Sequence, residues 1–454
     1  MSRRNRISRI LFAIGVFLLI AGDLRAEDIK TTWKDGLQFE AEGVAKVHVG
    51  GRAQFDANIV SANDEMEASN GGQPVLDTWG FRRLRLQTDG TLYEHAEFKI
   101  EIEFGNAGAE VVDAYLGLTG GPAGSSLRAG HIKEPISLEE ITSDNYITFS
   151  ERALPNIFIP SRNVGFLLSA TDILEGDKMS AATGVFKDVD SDARFGNDTA
   201  EANDSKFSWT TRLTFAPILE NKGETLVHLG AGFSYREANQ NKVTYSTRPE
   251  IGIFSVANSD TTAVPAITGN AISGTTMSTG SLSAVENTHV YDFEVAVGFA
   301  GAHLSAEYIA NTVHRTGSGS SCAAASDDCL FWGYYVQAGY FLTGESRPYS
   351  KGIWGRVRPK NTLFQGGGWG AWEVKARYSH LNLNDAAIRG GVGDDWSAGF
   401  NWYWNANFLM RFDYLHAEVK KTTASLSTAA TTLGAPIRLP GELDAFLWRF
   451  QVEI

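Results

Sequence analysis

The sequence predicts an all-β chain: a single transmembrane antiparallel β-barrel of about sixteen strands with an inward-folded third external loop. Three observations lead there. The N-terminus is basic and then apolar; apolar and polar residues alternate at period two along most of the remainder; and the polar side of that alternation carries full charges.

At the N-terminus, Ser2–Arg9 is basic, Ile10–Gly22 is apolar, and Ala26 with Leu24 two residues before it ends a plausible cleavage site. That order reads as a secretory signal over 1–26, its apolar core being short for a membrane helix. The mature chain, 27–454, then holds 35 Lys and Arg against 52 Asp and Glu, a net charge of −17. An exported protein this acidic does not attract nucleic acid through its overall field. Beyond the first thirty residues no apolar run approaches the ~20 residues of a spanning helix, which excludes a helical membrane protein.

The alternation continues to the C-terminus. Val47, Val49, Ala53, Phe55, Ala57 and Ile59 are interleaved with His48, Arg52, Gln54, Asp56 and Asn58; Phe98, Ile100, Ile102 and Phe104 with Lys99, Glu101 and Glu103. The same holds from Phe207 to Phe215, Tyr291 to Phe299, Trp372 to Tyr378, Trp396 to Trp404, Phe408 to Tyr414, and Phe446 to Ile454. Successive side chains on a strand point to opposite faces, so each segment has one oily and one polar face. A soluble sandwich would alternate in the same way. Three features favour a barrel in a membrane: segments of about ten residues, charges such as Arg83, Arg85, Lys375 and Arg377 on the polar faces, and Trp and Tyr at segment ends, as in interfacial girdles. Strands in hydrocarbon must close, because every backbone polar group has to pair internally.

The expected strands are approximately 45–60, 80–89, 93–104, 110–119, 125–133, 162–170, 178–187, 206–216, 225–236, 288–299, 301–313, 331–343, 369–380, 395–404, 406–418 and 443–454. Gly90–Leu92, Gly301 and Asn405 are expected as short periplasmic turns, with longer loops on the external side, notably 134–161 and the Ser/Thr/Gly-rich 237–287. One link, 344–368, is long where a short turn is expected. In 134–161, Ser137-Leu138-Glu139-Glu140 and Thr148-Phe149-Ser150-Glu151 have capping-box spacing, and Pro155 and Pro160 break further helix. Two short helical turns are expected, giving an ordered loop able to fold into the bore of a barrel this wide.

Leu342-Thr343-Gly344-Glu345-Ser346-Arg347-Pro348-Tyr349, Val357-Arg358-Pro359 and Gly370-Ala371-Trp372-Glu373-Val374-Lys375-Ala376-Arg377-Tyr378-Ser379 resemble the signature of the phosphate-selective porins O and P. Gly50-Gly51-Arg52, Phe81-Arg82-Arg83-Leu84-Arg85, Gly130-His131-Ile132-Lys133-Glu134-Pro135 and Phe149-Ser150-Glu151-Arg152 also fit. The chain departs from the family in ending on Ile454 instead of Phe and in a divergent 237–287. The resemblance implies a homotrimer of sixteen-stranded barrels in a Gram-negative-type outer membrane, in contact with its lipid and passing anions, with loops and the segment 344–368 folded into the bore.

An anion channel needs cations where the bore is narrow and the effective dielectric low, and guanidinium suits phosphate through its planar fork. The candidates are Arg52, Arg82, Arg83, Arg85, Lys133, Arg152 and Arg162, an Arg/Lys-lined constriction on the early strands and the third loop. Against this, Asp56, Asp89, Glu101, Glu103, Asp113, Asp292, Glu294, Glu307, Glu373 and Asp413 share the polar faces, so many of these cations could serve only to brace the wall.

Cys322 and Cys329 bracket one external loop, where a disulfide is the natural reading outside the cytoplasm, ahead of a metal site with Asp327 and Asp328. No Gly-x-Ser-x-Gly elbow, phosphate-binding loop or His-Glu-x-x-His occurs. His95-Ala96-Glu97 and His416-Ala417-Glu418 lack the Pro-Cys-x-x-Cys that a zinc deaminase requires. The expectation is therefore a passive anion porin, for phosphate or polyphosphate, without enzymatic activity, metal or cofactor. The alternatives are a general diffusion porin for small polar solutes or organic anions, and a structural or adhesion barrel displaying 237–287 outward.

Overall fold

The computed structural model describes residues 29–454 apart from 70–73, 106–107, 189–205, 254, 257–274, 317–327, 365–366, 386–387 and 421–439. The export segment 1–26 and Cys322 lie outside the described residues. Cys329 is buried and disulfide-bonded.

Sixteen antiparallel strands form the wall: β1 (Ala45–Ala62), β2 (Thr78–Leu92), β3 (Ala96–Glu103), β4 (Glu110–Gly121), β5 (Ser125–Lys133), β6 (Arg162–Leu174), β7 (Met179–Lys187), β8 (Ser208–Glu220), β9 (Thr225–Glu237), β10 (Val285–Phe299), β11 (Ala302–Arg315), β12 (Cys329–Phe341), β13 (Ala371–Asp385), β14 (Ile388–Tyr403), β15 (Phe408–Lys420) and β16 (Gly441–Glu453). Each expected strand is present. β16 pairs with β1 from Leu443↔Ala62 to Glu453↔Arg52, which closes the sixteen-stranded wall.

The faces sort as the alternation requires. Ile100 is 38% exposed while its neighbour Glu101 is fully buried; Leu116, Phe166, Phe293 and Phe299 stand outward, and Arg52, Asp56, Arg212, Asp292 and Arg449 are buried inside. Two aromatic belts mark the ends of the oily band. Trp372 stacks on Trp402 at 4.9 Å near the short-turn end, and Tyr378 lies 4.3 Å from Trp396 farther along the same strands. Six residues separate Trp396 from Trp402, about 20 Å at strand rise, comparable to the hydrophobic height of such barrels.

Beyond the second belt the alternation reverses its chemistry. On β15, Phe412 and Tyr414 face out opposite Arg411 and Asp413, but farther on His416 and Glu418 face out while Leu415, Ala417 and Val419 are buried inside. The long-loop end thus projects past the hydrocarbon. Its interior is filled by an apolar plug in which Leu154, Phe158, Tyr245, Ile251, Met277 and Leu282 of the loops pack on Ile309, Phe331, Leu381, Leu415 and Leu447 of the wall. The described parts of 237–287 thus fold against the inside of the barrel mouth.

Three local expectations are corrected. The β2–β3 turn is Tyr93–His95, not Gly90–Leu92: pairing continues to Leu92↔Ala96, and Tyr93 and Glu94 take positive φ at the turn. The β14–β15 turn is wider than Asn405 alone; Asn405 Oδ1 accepts from the amides of Asn407 and Phe408. Thr148–Glu151 is not helical; the second turn is a 3₁₀ segment, Leu154–Phe158, which Pro155 opens, because a proline fits a first turn, where its missing N–H is not needed. The first helical turn, Leu138–Ile141, forms as expected, with the Ser137 side chain accepting from Glu140 N at 3.1 Å. The β10–β11 turn is Ala300–Gly301, both with positive φ, the two-residue turn whose twist matches the strands.

A hairpin, Lys30–Trp33 with Leu37–Ala41, precedes β1 and pairs with it through Leu37↔Val49 to Ala41↔Ala45. Asp35-Gly36 makes its turn, again with positive φ at both residues.

Placing a charge on the oily face should be costly at mid-strand. Phe293→Arg on β10 is expected to destabilise the folded barrel in lipid by about 2–4 kcal/mol, read from urea titrations of folded against unfolded protein. An effect below ~0.5 kcal/mol would mean that this face does not meet hydrocarbon.

Candidate functional site

Residues 134–161 run along the inside of the wall and bond to both arcs. Leu138 N and Glu139 N donate to Glu307 of β11 at 3.0 and 2.8 Å. Ser150 N and Oγ donate to Asp413 of β15 at 3.2 and 2.8 Å. Asp144 accepts from Arg52 and forms ion pairs with Arg83 at 2.6 Å and Arg85 at 3.6 Å. Wall cations hold the loop's carbonyl groups: Arg411 donates to Asn145 O and Ile147 O, both at 2.9 Å, and Lys375 to Thr148 O at 2.8 Å. Backbone that cannot form a ladder is thereby satisfied inside the barrel.

The link between β12 and β13 enters from the opposite end. Arg347 donates to Thr148 Oγ1 at 2.6 Å and Tyr146 O at 2.5 Å and stacks on Trp354. Trp354 Nε1 donates to Ser305 of β11 at 3.0 Å, and Tyr349 Oη meets His228 Nδ1 of β9 at 2.6 Å.

All seven predicted cations lie on this inner surface, and each meets a carboxylate. Arg52 binds Glu101 at 2.8 Å as well as Asp144. Arg85 binds Glu103 at 2.6 Å and Glu101 at 3.0 Å. Arg82 meets Glu151 at 3.0 Å, Arg152 meets Glu140 at 3.0 Å, and Arg162 meets Asp113 at 2.7 Å; Lys133 reaches Glu140 at 3.4 Å. Adjacent Arg82 and Arg83 both turn toward the loop because the β1–β2 register slips between Gln54↔Arg83 and Phe55↔Phe81, a bulge that lets two neighbouring residues oppose one.

Between this loop and the β3–β8 arc runs a crevice of ≈ 380 Å³. Arg52, Lys99, Arg128, Lys133, Arg162, Arg212 and Lys351 line it, against two carboxylates, Asp113 and Asp144. The partners Glu97, Glu101, Glu140 and Glu294 are not among its lining residues: they meet Arg128, Lys99, Lys133 and Arg212 at 2.8, 2.8, 3.4 and 2.7 Å from behind. The crevice brings together three of the predicted residues, Arg52, Lys133 and Arg162. It does not include Arg82, Arg83, Arg85 or Arg152, whose contacts seat the loop. Lys99, Arg128 and Arg212 were legible as polar-face positions on their strands; Lys351, in the β12–β13 link, carried no such signal.

Burial raises the Glu140 carboxyl, but Arg152, Lys133 and Arg162 outweigh it and hold the group at about 2. Burial likewise opposes ionisation of Asp144, and Arg52, Arg83 and Arg85 carry it well below the carboxylate range. With folded values depressed, these acids stabilise the seated loop fully above 4.5, and for Glu140 the contribution is lost as pH falls toward about 2. Asp144→Ala leaves three buried guanidinium groups without their shared partner, at a cost of about 3–5 kcal/mol to the docked loop. Faster proteolysis within 134–161 than in the parent would report it.

Comparison with known proteins agrees with this architecture. The sequence profile of the phosphate-selective porin O and P family matches residues 47–440. Porin O of Pseudomonas aeruginosa is 26% identical over 400 residues, covering 83% of each chain. An uncharacterized protein of Caulobacter vibrioides is 28% identical over 378 residues, 82% of this chain and 68% of that one. Among solved structures, the anion-selective porin from Comamonas acidovorans superposes with a TM-score of 0.53 at 12% identity, over 90% of this chain and all of that one, a likeness of fold. The chain belongs to the phosphate-selective porin O and P family, and its barrel is an outer-membrane porin.

Proposed function

We propose that the protein passes small anions by passive diffusion along the basic crevice, with phosphate or short polyphosphate as the solutes that it favours. One observation carries this reading: seven cations and two carboxylates line the crevice, while the paired Glu97, Glu101, Glu140 and Glu294 do not. In a narrow aqueous passage with low-dielectric walls, the charges nearest the ion dominate its energy. An entering anion meets Lys99, Arg128 and Arg162 on strands and Lys351 on the β12–β13 link, several moderate sites in place of one deep trap. Transport needs that arrangement, because binding must allow both entry and exit. Phosphate is supported by the family name and by the forked donors of Arg128, Arg162 and Arg212.

Reversal potentials across planar bilayers in a potassium chloride gradient test the reading. The parent should prefer chloride, and conductance in potassium phosphate should saturate with concentration. Lys99→Gln combined with Arg162→Gln should lower the anion-to-cation permeability ratio by about twofold or more, whereas Arg82→Gln, outside the crevice, should leave it near the parent value. Cation preference in the parent would reject the proposal. Anion preference without saturation would indicate a general diffusion porin.

A further inference from the structure

Beside the crevice, on the far side of Arg212, β10 and β11 place three buried carboxylates together: Asp292, Glu294 and Glu307, one oxygen of each lying within 4.8 Å of the others. The register produces the cluster, since Glu294 pairs with Glu307 across the ladder and Asp292 follows on the same face. Gly230 on β9 leaves the space for it; a Cβ there would stand 2.3 Å from Glu294 Oε2.

Two of the three are fully served by donors. Glu294 accepts both forks of Arg212 at 2.7 Å and meets His228 Nε2 at 3.0 Å. Glu307 accepts Leu138 N, Glu139 N and, at 2.5 Å, Tyr335 Oη. Asp292 differs: it is fully buried, and among the described residues no donor reaches either of its oxygens. A buried carboxylate without a partner is strongly disfavoured. The groups beside it are also acceptors, so only a proton or a cation can bridge them. With His228 neutral, three carboxylates and Arg212 carry −2, which a single divalent cation cancels and a single shared proton does not. All the ligand atoms are carboxylate oxygens, the donor set of a hard cation with a flexible oxygen shell.

We propose that Asp292, Glu294 and Glu307 bind one divalent hard cation, calcium in preference to magnesium. Glu307 also holds the amides that open the first helical turn of the inward loop, so the ion ties the root of that loop to the wall. This site adjoins the anion path through Arg212, which lines the crevice and holds Glu294, but its test reads calcium binding and Tm and does not depend on conductance.

The test uses the full-length chain in detergent, freed of lipopolysaccharide and dialysed against EDTA. Titration with calcium chloride should give about one site per chain, weaker with magnesium chloride, and should raise Tm by several degrees. Asp292→Asn, which removes the stranded charge, should bind no calcium there and show a Tm that does not respond to EDTA or calcium. A wild-type protein that binds neither metal and keeps its Tm in EDTA would overturn the proposal in favour of a shared proton, as would calcium binding that is unchanged in Asp292→Asn. Should that variant fail to fold, the wild-type isotherm decides: a stoichiometric calcium site supports the proposal, and its absence rejects it.

Discussion

Backbone N–H and C=O groups in hydrocarbon have no water to turn to, and that constraint shapes the whole molecule. It forces β16 back onto β1, and closure creates an inside and an outside from a chain that otherwise has only two faces. The oily residues then have one place to go, and so do the charges. A wall so lined has wet, polar contents, and a loop entering it can be held by side chains that would be unaffordable in a dry core. Arg411, Lys375 and Arg449 do this, donating to loop carbonyls that no strand pairs.

The chain is acidic as a whole, with 53 Asp and Glu against 40 Lys and Arg, yet its crevice is basic. The two facts agree once position is counted and composition set aside. Salt bridges here are asymmetric in depth: Glu97, Glu101, Glu140 and Glu294 sit behind the cations that they hold. The carboxylates fix the guanidinium and ammonium groups in direction, and the cations line the crevice. Pairing and selectivity are therefore compatible. The same pairs that brace the wall aim positive charge at the passage. Elsewhere the loops serve closure: at the long-loop end they pack an apolar cluster against the wall.

Much of the fold was legible because a strand's period of two survives any context: all sixteen strands follow from it, including the outward set Phe98 and Ile100 against Lys99 and Glu101. Turns were less legible. Asp35-Gly36 is a strong hairpin signal that went unread because it precedes the first long alternating segment. Gly90 suggested a turn where pairing in fact continues, as the glycine accommodates a close backbone approach to Lys46. The site was legible as a surface and not as an arrangement. Arg52, Lys133 and Arg162 sit on the crevice as their positions implied, but nothing local in the sequence separates them from Arg83 or Arg85, which the loop covers through Asp144. That distinction arises from where the distant loop comes to lie on the wall, over Arg83 and Arg85 and at the edge of the crevice beside Arg52, and from Lys351 arriving along a link with no periodicity.

The central claim is that small anions occupy the passage between the inward loop and the β3–β8 arc. Diffraction from crystals soaked in bromide tests it most directly, because bromide scatters anomalously and reports position without relying on a rate. The account predicts anomalous peaks within contact distance of Lys99, Arg128 and Arg162. Peaks only at the barrel rims, or rubidium in place of bromide along that passage, would contradict it.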